Sequence, residues 1–486
     1  MVHEPVLIVV TLLLAAFIVP LLSRKLHIAQ AVFMTGIVVA AVLSIRLAFM
    51  VLRQGTINYY VGGWLPPFGI EVVADAFGAY ASLVIALISL PIAWFVVFAP
   101  REVNTPSRYM ALILLLTASM HGMVLAGDLF NLFVFIEICS LSAIAIIAVK
   151  GTKDSIEASF RYLVLSALGS GGILFAIALI FMITGHLNMG YVQETLAVTA
   201  SQYPLNILTA LAFIFVGFSV KAAIFPLHIW LPEAHSNAPT TSSALLSGLV
   251  VKAYLVGFIR IMYLVLGTEL FVALPLRPIL LILAAAAMLV GSTFAIVQNN
   301  IKRMLAYSTV AQMGYIVLGL GLFSQRALEG SMLHIFNHAI TKSLLFLSAG
   351  VIIKQTGTNR LSDLKGMGRK MPFTFVAFTI GSLSMVGIPG FAGFVSKLYL
   401  ALGALDIGQI IFAVLILVSS LLNATYYFPI VVNAFFGQTE ATHQGSDPKK
   451  PVMAPLAVFA FAVIFMGLFP SVIMPLVRQA AGLLQP

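Results

Sequence analysis

FIFVGFSVKAAIFPLHIWLPEAHSNAPTTSSALLSGLVVKAYLVGFI, residues 213–259, holds the pattern that decides the fold. Two apolar runs flank a polar linker, and each run carries one lysine, Lys221 and Lys252. A helix of roughly 20 apolar residues crosses about 30 Å of hydrocarbon, so the flanks read as spans over residues 206–227 and 241–266. Similar runs recur at 5–22, 29–51, 76–98, 108–126, 129–149, 162–184, 273–297, 303–323, 329–354, 372–399, 408–434 and 452–475. Together they predict an all-α integral membrane protein of about fourteen transmembrane helices. The composition agrees: 61% of the 486 residues are hydrophobic and only 9% are charged, where a soluble domain carries about 25% charged residues. So few charges cannot cover a soluble surface, and the runs leave no room for a separate soluble domain.

A net charge of +10 would suggest nucleic acid in a soluble protein, but in a membrane protein basic residues first report orientation. Counted over alternate loops, one side gathers most of them, from Arg24 and Lys25 through Lys150, Lys302 and Arg360 to Lys449 and Lys450. The other side holds little beyond Arg53, Arg277, Arg326 and Arg478. The positive-inside rule makes the first side cytoplasmic and, for an even helix count, places both termini outside. Cys139 is the single cysteine, so this chain supplies no disulfide, no CxxC pair and no iron–sulfur ligation. The amino-terminal segment carries its positive charges after the apolar stretch, the reverse of a secretory signal, and is expected to stay as the first helix.

Two loops are long enough to hold structure of their own. Residues 53–75, outside, mix turn residues with aromatic and β-branched ones, consistent with a hairpin on the membrane surface. Residues 355–371, inside, are basic and punctuated by glycine. Pro226 and Pro389 fall within expected spans, where proline removes a backbone hydrogen bond whose freed carbonyls need protein or water partners. Broken helices at corresponding positions of two halves point to an inverted-repeat transporter, and a kink that serves packing alone is the other use of such prolines. The spacing divides the chain into helices 1–3 over residues 1–104, a first five-helix repeat over 105–270, a second over 271–435, and a last helix within 436–486. The breaks then fall in helices 7 and 12.

A charge at the bilayer centre costs about 2.5 to 3.5 kcal/mol on insertion scales, so each needs a partner or a purpose. Glu137, Lys221, Lys252, Lys342 and Lys397 all fall within expected spans. His334, His338 and Lys342 recur at i, i+4 and i+8, which stacks them on one helical face as a wire of titratable groups. Two histidines at i, i+4 could instead hold a metal, but no carboxylate accompanies them and there is no HExxH, so neither metal nor cofactor is expected. Hydrocarbon disfavours the charge of a lysine and a nearby carboxylate restores it, so moving Glu137 relative to Lys221 could load or release a proton, with Lys252 as the next stop. A static ion pair is the competing reading; one acid against four lysines leaves bases that such a pair does not require. His228 and His235 flank the polar linker, as a cytoplasmic inlet, as a link between half-channels or as part of a capped, solvated loop. Asp128 reads as an N-terminal charge favoured by the helix dipole, and Gly169, Gly171 and Gly172 as close helix packing.

At these residues the chain resembles a known family. DLFNLFVFIE, KAAIFPLHIWLPEAHSNAPTTSSALLSGLVVK, NNIKRMLAYSTVAQMGY, HIFNHAITKSLLFLSAG and GIPGFAGFVSK look like the antiporter-type subunits shared by respiratory complex I, multisubunit Mrp Na⁺/H⁺ antiporters and membrane-bound hydrogenases. The likeness covers roughly residues 105–430. DLFNLFVFIE and TNRLSDLKGMGRKMP are most similar to the Mrp D subunit and its hydrogenase counterpart. The resemblance implies that Glu137 is the acidic partner of Lys221, that Lys252 is the central relay, that His338 and Lys342 continue the axis, and that Lys397 lies near the exit. One complex I member has glutamate at that last position, so Lys397 departs from it and fits the others. The resemblance further implies a multi-pass protein of a prokaryotic plasma membrane, surrounded by lipid and by homologous and small membrane subunits. It would move protons, with Na⁺ passing if at all through neighbours, and would bind no nucleic acid. Any electron transfer, as in an NADH dehydrogenase-like complex, would belong to partner chains. A stand-alone solute transporter and a structural scaffold are the other readings the residues leave open.

Overall fold

The computed structural model describes residues 3–438 and 445–485, so the expected last segment, 436–486, is described except for 439–444 and 486. The chain is helical almost throughout, because in hydrocarbon a backbone must satisfy its own hydrogen bonds. It begins with α1 (Glu4–Leu21), α2 (Leu26–Gln54) and α3 (Ala76–Phe98), followed by α4 (Pro106–Val124), α5 (Leu129–Ala148) and α6 (Lys153–Thr184). A short α7 (Met189–Thr199) precedes α8 (Pro204–Lys221), and α9 (Trp230–Asn237) follows a non-helical stretch. α10 (Thr240–Leu245) and α11 (Val251–Ile259) alternate with π-helical turns at Leu246–Val250 and Arg260–Val265 to make one rod. Next come α12 (Thr268–Ala273), α13 (Leu276–Ile296), α14 (Ile301–Leu322), α15 (Gln325–Thr356) and α16 (Met367–Lys370). The chain closes with α17 (Pro372–Val386), α18 (Ala392–Asp406), α19 (Ile410–Phe436), α20 (Lys450–Leu468) and α21 (Met474–Gly482).

Among the described residues, twelve helices are long and apolar enough to cross a membrane. The two remaining expected spans, 108–126 and 372–399, coincide with α4 and with the pair α17 and α18, each of the latter only 15 residues long. The expected hairpin is present: β1 (Ile57–Tyr60) pairs antiparallel with β2 (Glu71–Ala74), Ile57 opposite Ala74. Side-chain oxygens cap the entrances of several helices, Asp75 accepting from the Gly78 N–H at 2.6 Å and Asp128 from the Asn131 N–H at 2.8 Å.

Contacts sort the loops onto two faces. On one, Lys150 and Lys302 both donate to the Ala238 carbonyl, Asn300 bridges Arg360, and Asp447 accepts from the Phe373 N–H. On the other, Val72 bridges Ala126, Asp128 bridges Asn188, and Arg326 pairs with Asp406 at 3.0 Å. The first face carries the basic loops. Between the faces, three spans are wrapped by protein: the most apolar window is fully buried in Thr240–Val265 and Gln325–Thr356, and 94% buried in Ile301–Leu322. Polar side chains within these buried windows therefore meet protein and not lipid.

The polar linker departs from expectation. Residues 230–237 form a helix, and His235 is buried with its ring stacked on Phe346 at 4.9 Å. A solvated loop is excluded for that residue; the segment folds back into the bundle.

A line of buried lysines across the bundle

The first cluster forms where α8 stops. Its helix ends at Lys221, Ala223 takes a positive φ of 52°, and Pro226 has no N–H to continue the ladder. The carbonyls released by the break find partners: Val220 accepts from the Trp230 indole at 2.8 Å and Ser219 from the Ile224 N–H at 2.9 Å. The fully buried Lys221 ammonium lies 3.6 Å from a Glu137 carboxylate oxygen and donates to Ser140 and Ser166 at 2.6 Å each. Tyr254, from the wrapped α11, meets Ser140 at 2.9 Å, and Ser170 donates to Glu137. Glu137 itself corrects the expectation of a buried acid: its side chain is 35% exposed, on the lateral surface of α5.

The second cluster uses the π-helical turn before α11. The wide turn presents the Ser247 carbonyl to the Lys252 ammonium, while the Ser247 hydroxyl pairs with Thr309 at 2.8 Å. The third lies on α15. His334 and His338 stack with ring centres 5.8 Å apart and planes only 4° from parallel. His334 bonds Ser396 at 2.9 Å and Gln312 at 3.0 Å, whereas both ring nitrogens of the buried His338 lack a protein partner among the described residues. Lys342, one further turn on, donates to the Leu305 carbonyl at 2.8 Å and to Ser308. His338 lies within electrostatic reach of Lys252, Lys342, His334 and Lys397, and His235 within reach of Lys252 and Lys342.

The fourth cluster sits at the second break. Gly387 and Gly390 take φ of 93° and 89° on either side of Pro389, so α17 ends and α18 begins afresh. The last carbonyls of α17 are left without helical donors, and Lys397 supplies them, bonding Met385 at 2.7 Å and Val386 at 3.1 Å. Its ammonium also lies 4.7 Å over the Tyr315 ring. Lys252, Lys342 and Lys397 have no carboxylate within ion-pair distance among the described residues; Lys221 alone does. His228 is also buried, but it lies beside Phe225 and faces a lateral cavity, apart from this line.

Two ionic clusters went unread in the sequence. Asp75 and Arg260 form a buried bidentate pair with distances of 3.0 and 3.1 Å. Arg260 lies inside an expected span, and that alone was a signal. On the basic face, Glu102 pairs with Lys150 at 3.4 Å and accepts from the Thr240 N–H. Burial alone would raise the Glu102 carboxyl, but Lys302, the Thr240 bonds and Lys150 together outweigh it and hold the group below its ordinary 4.5. A lowered folded value stabilises above the unfolded one and is lost as pH falls through the folded one. Glu102→Gln should therefore be less heat-stable than the parent at neutral pH, and the gap should close below about pH 4 in melting curves taken in detergent. No group of three or more potential metal ligands occurs among the described residues.

Wrapped spans that carry lysines, together with two lysine-bearing spans broken at prolines, define an antiporter-like membrane subunit, and comparison with known proteins agrees. Residues 126–423 match the family described as NADH:quinone oxidoreductase/Mrp antiporter, transmembrane. The chain belongs to that family, and it is a multi-pass membrane protein of the kind found as a subunit of larger complexes. It is 39% identical to the N subunit of NADH-quinone oxidoreductase from Desulforudis audaxviator, over 99% of this chain and 98% of the relative. It is 31% identical to the D subunit of a Na(+)/H(+) antiporter from Alkalihalophilus pseudofirmus, over 95% and 92% of the two chains. Among solved structures, a chain of the membrane-bound sulfane sulfur reductase, an archaeal respiratory membrane complex, superposes with a TM-score of 0.92. That chain is 32% identical, over 99% of this chain and 97% of its own length.

Proposed function

We propose that this chain carries protons across a prokaryotic plasma membrane as one subunit of a larger complex. The path runs from Glu137 and Lys221 through Lys252, His338 and Lys342, with His334 alongside, to Lys397. The observation that carries the reading is four buried lysines on wrapped or broken helices, three of which have only hydroxyls and carbonyls as hydrogen-bond partners. An unpaired buried ammonium is costly, and burial of this kind is more often functional than structural. A protonated lysine has no lone pair with which to coordinate Na⁺, so the line suits protons, and any Na⁺ passage belongs to neighbouring subunits. Buried nitrogens of His338 and His235 without protein partners supply polar stations between the lysines, to be linked by water.

The two broken spans support the division into repeats over residues 105–270 and 271–435, one break in each. The basic loops support a cytoplasmic position for their face and an outer one for both termini. The half-exposed Glu137 is open to a neighbouring subunit, whose movement would shift the carboxylate relative to Lys221 and so load or release the first proton. The parent complex is an Mrp-type antiporter or a related hydrogenase-like or complex I-like pump, a choice that its co-purifying subunits decide. The test is proton flux in proteoliposomes holding the assembled complex. Lys252→Met should cut turnover by about tenfold or more, equivalent to about 1.4 kcal/mol on the barrier. Wild-type flux in that variant overturns the reading.

A further inference from the structure

On the lateral surface between α6, α9 and the first turn of α14 lies a cavity of about 660 Å³ that the lysine line does not use. Its walls include Phe160, Ile229 and Phe294, which are 62%, 64% and 45% exposed. Its polar rim is Arg161, Glu233 and Arg303, with Tyr307 and the buried His228 at the inner wall. The Nδ1 of His228 has no partner among the described residues. The cavity opens toward the basic face: Arg303 is the third residue of α14, and α9 is followed directly by Ala238, the residue held by Lys150 and Lys302.

The depth is that of lipid headgroups. The 32 residues of α6 make a rod of about 48 Å, longer than the roughly 30 Å of hydrocarbon, so its first turns stand in the interfacial layer. Arg161 immediately precedes the apolar run of residues 162–184, at the boundary between that layer and the hydrocarbon.

The charge pattern selects the headgroup. Arg161 is committed, bonded to Glu157 at 2.6 Å and Glu233 at 3.0 Å. The exposed guanidinium of Arg303 has no ion pair or side-chain hydrogen bond among the described residues. Glu233 keeps a 35% exposed side chain, and a carboxylate has more acceptor sites than Arg161 takes. With Glu157 behind, the site is close to neutral, with one free cation and one accessible anion. A purely anionic headgroup meets Glu233, and a quaternary ammonium has no N–H to give it.

We propose that this crevice binds a phospholipid whose headgroup carries both a phosphate and a primary ammonium, the phosphate on Arg303 and the ammonium on Glu233, with acyl chains along Phe160, Ile229 and Phe294. The full chain, purified in mild detergent and delipidated, is titrated with phosphatidylethanolamine, phosphatidylcholine or phosphatidylglycerol, and bound lipid is counted by native mass spectrometry. One phosphatidylethanolamine per chain is expected, held about tenfold or more tightly over the other two. Arg303→Gln should lose that lipid, and Glu233→Gln should lose the preference over phosphatidylcholine while still binding phospholipid. Arg326→Gln, whose pair with Asp406 lies on the opposite face, should keep the preference, and Phe294→Trp should weaken all three lipids by narrowing the apolar wall. Equal retention of the three lipids by the parent, or an unchanged preference in Arg303→Gln of parental melting temperature, overturns the assignment. So does capture of a polypeptide by a photoreactive residue at Phe160 in the assembled complex.

Discussion

Replacing Lys221 with alanine is expected to stop proton flux through the assembled complex, with a loss of about tenfold or more, while the complex still purifies whole. The ammonium is fully buried, lies 3.6 Å from Glu137 and is the donor to both Ser140 and Ser166. Without it the first station has no base to receive a proton, and Glu137 is left without its cation. A structural pair and a working pair differ in the double variant. Glu137→Gln with Lys221→Met removes both charges together, which relieves the cost of a lone buried ion and leaves folding nearly intact. If that double variant conducts protons like the parent in dye-loaded vesicles, the pair is a fastener and the path begins elsewhere.

The largest loss of stability is expected from Arg260→Leu. Its guanidinium holds Asp75 by two bonds and the Val124 carbonyl by a third at 3.0 Å, with only 3% of the arginine side chain exposed. Removing one partner strands a buried carboxylate, at a cost of about 3 to 5 kcal/mol. Asp75 also caps α3, so the damage reaches the hairpin that packs beside it. Asp75→Asn with Arg260→Met keeps a cap and removes both charges, and should recover most of the loss. Thermal unfolding in detergent is the measurement, and a melting point for Arg260→Leu within about 2 °C of the parent removes the clamp from the account.

Much of this arrangement is legible along the chain. Apolar run length located the spans, and the mixture of turn and β-branched residues located the hairpin. Pro226 and the Gly387 to Gly390 segment marked the two broken helices, and i, i+4 spacing placed His334, His338 and Lys342 on one face of α15. Each of these signals is local, a matter of hydropathy, backbone freedom or helical period within a few turns.

What the sequence determined by itself is therefore the long apolar helices, the two breaks, the gathering of basic residues in alternate loops and most of the ionisable groups that fall within spans. The tertiary structure decided which of those groups meet. It brought Asp75 to Arg260 across 185 residues, gathered Glu102 with Lys150 and Lys302, drew the linker at His235 into the bundle and turned Glu137 outward. The reason lies in the solvent: a lipid tail and the side of a neighbouring helix are equally apolar, so hydropathy cannot say which way a span faces. Packing of small residues and pairing of polar groups across helices settle that rotation.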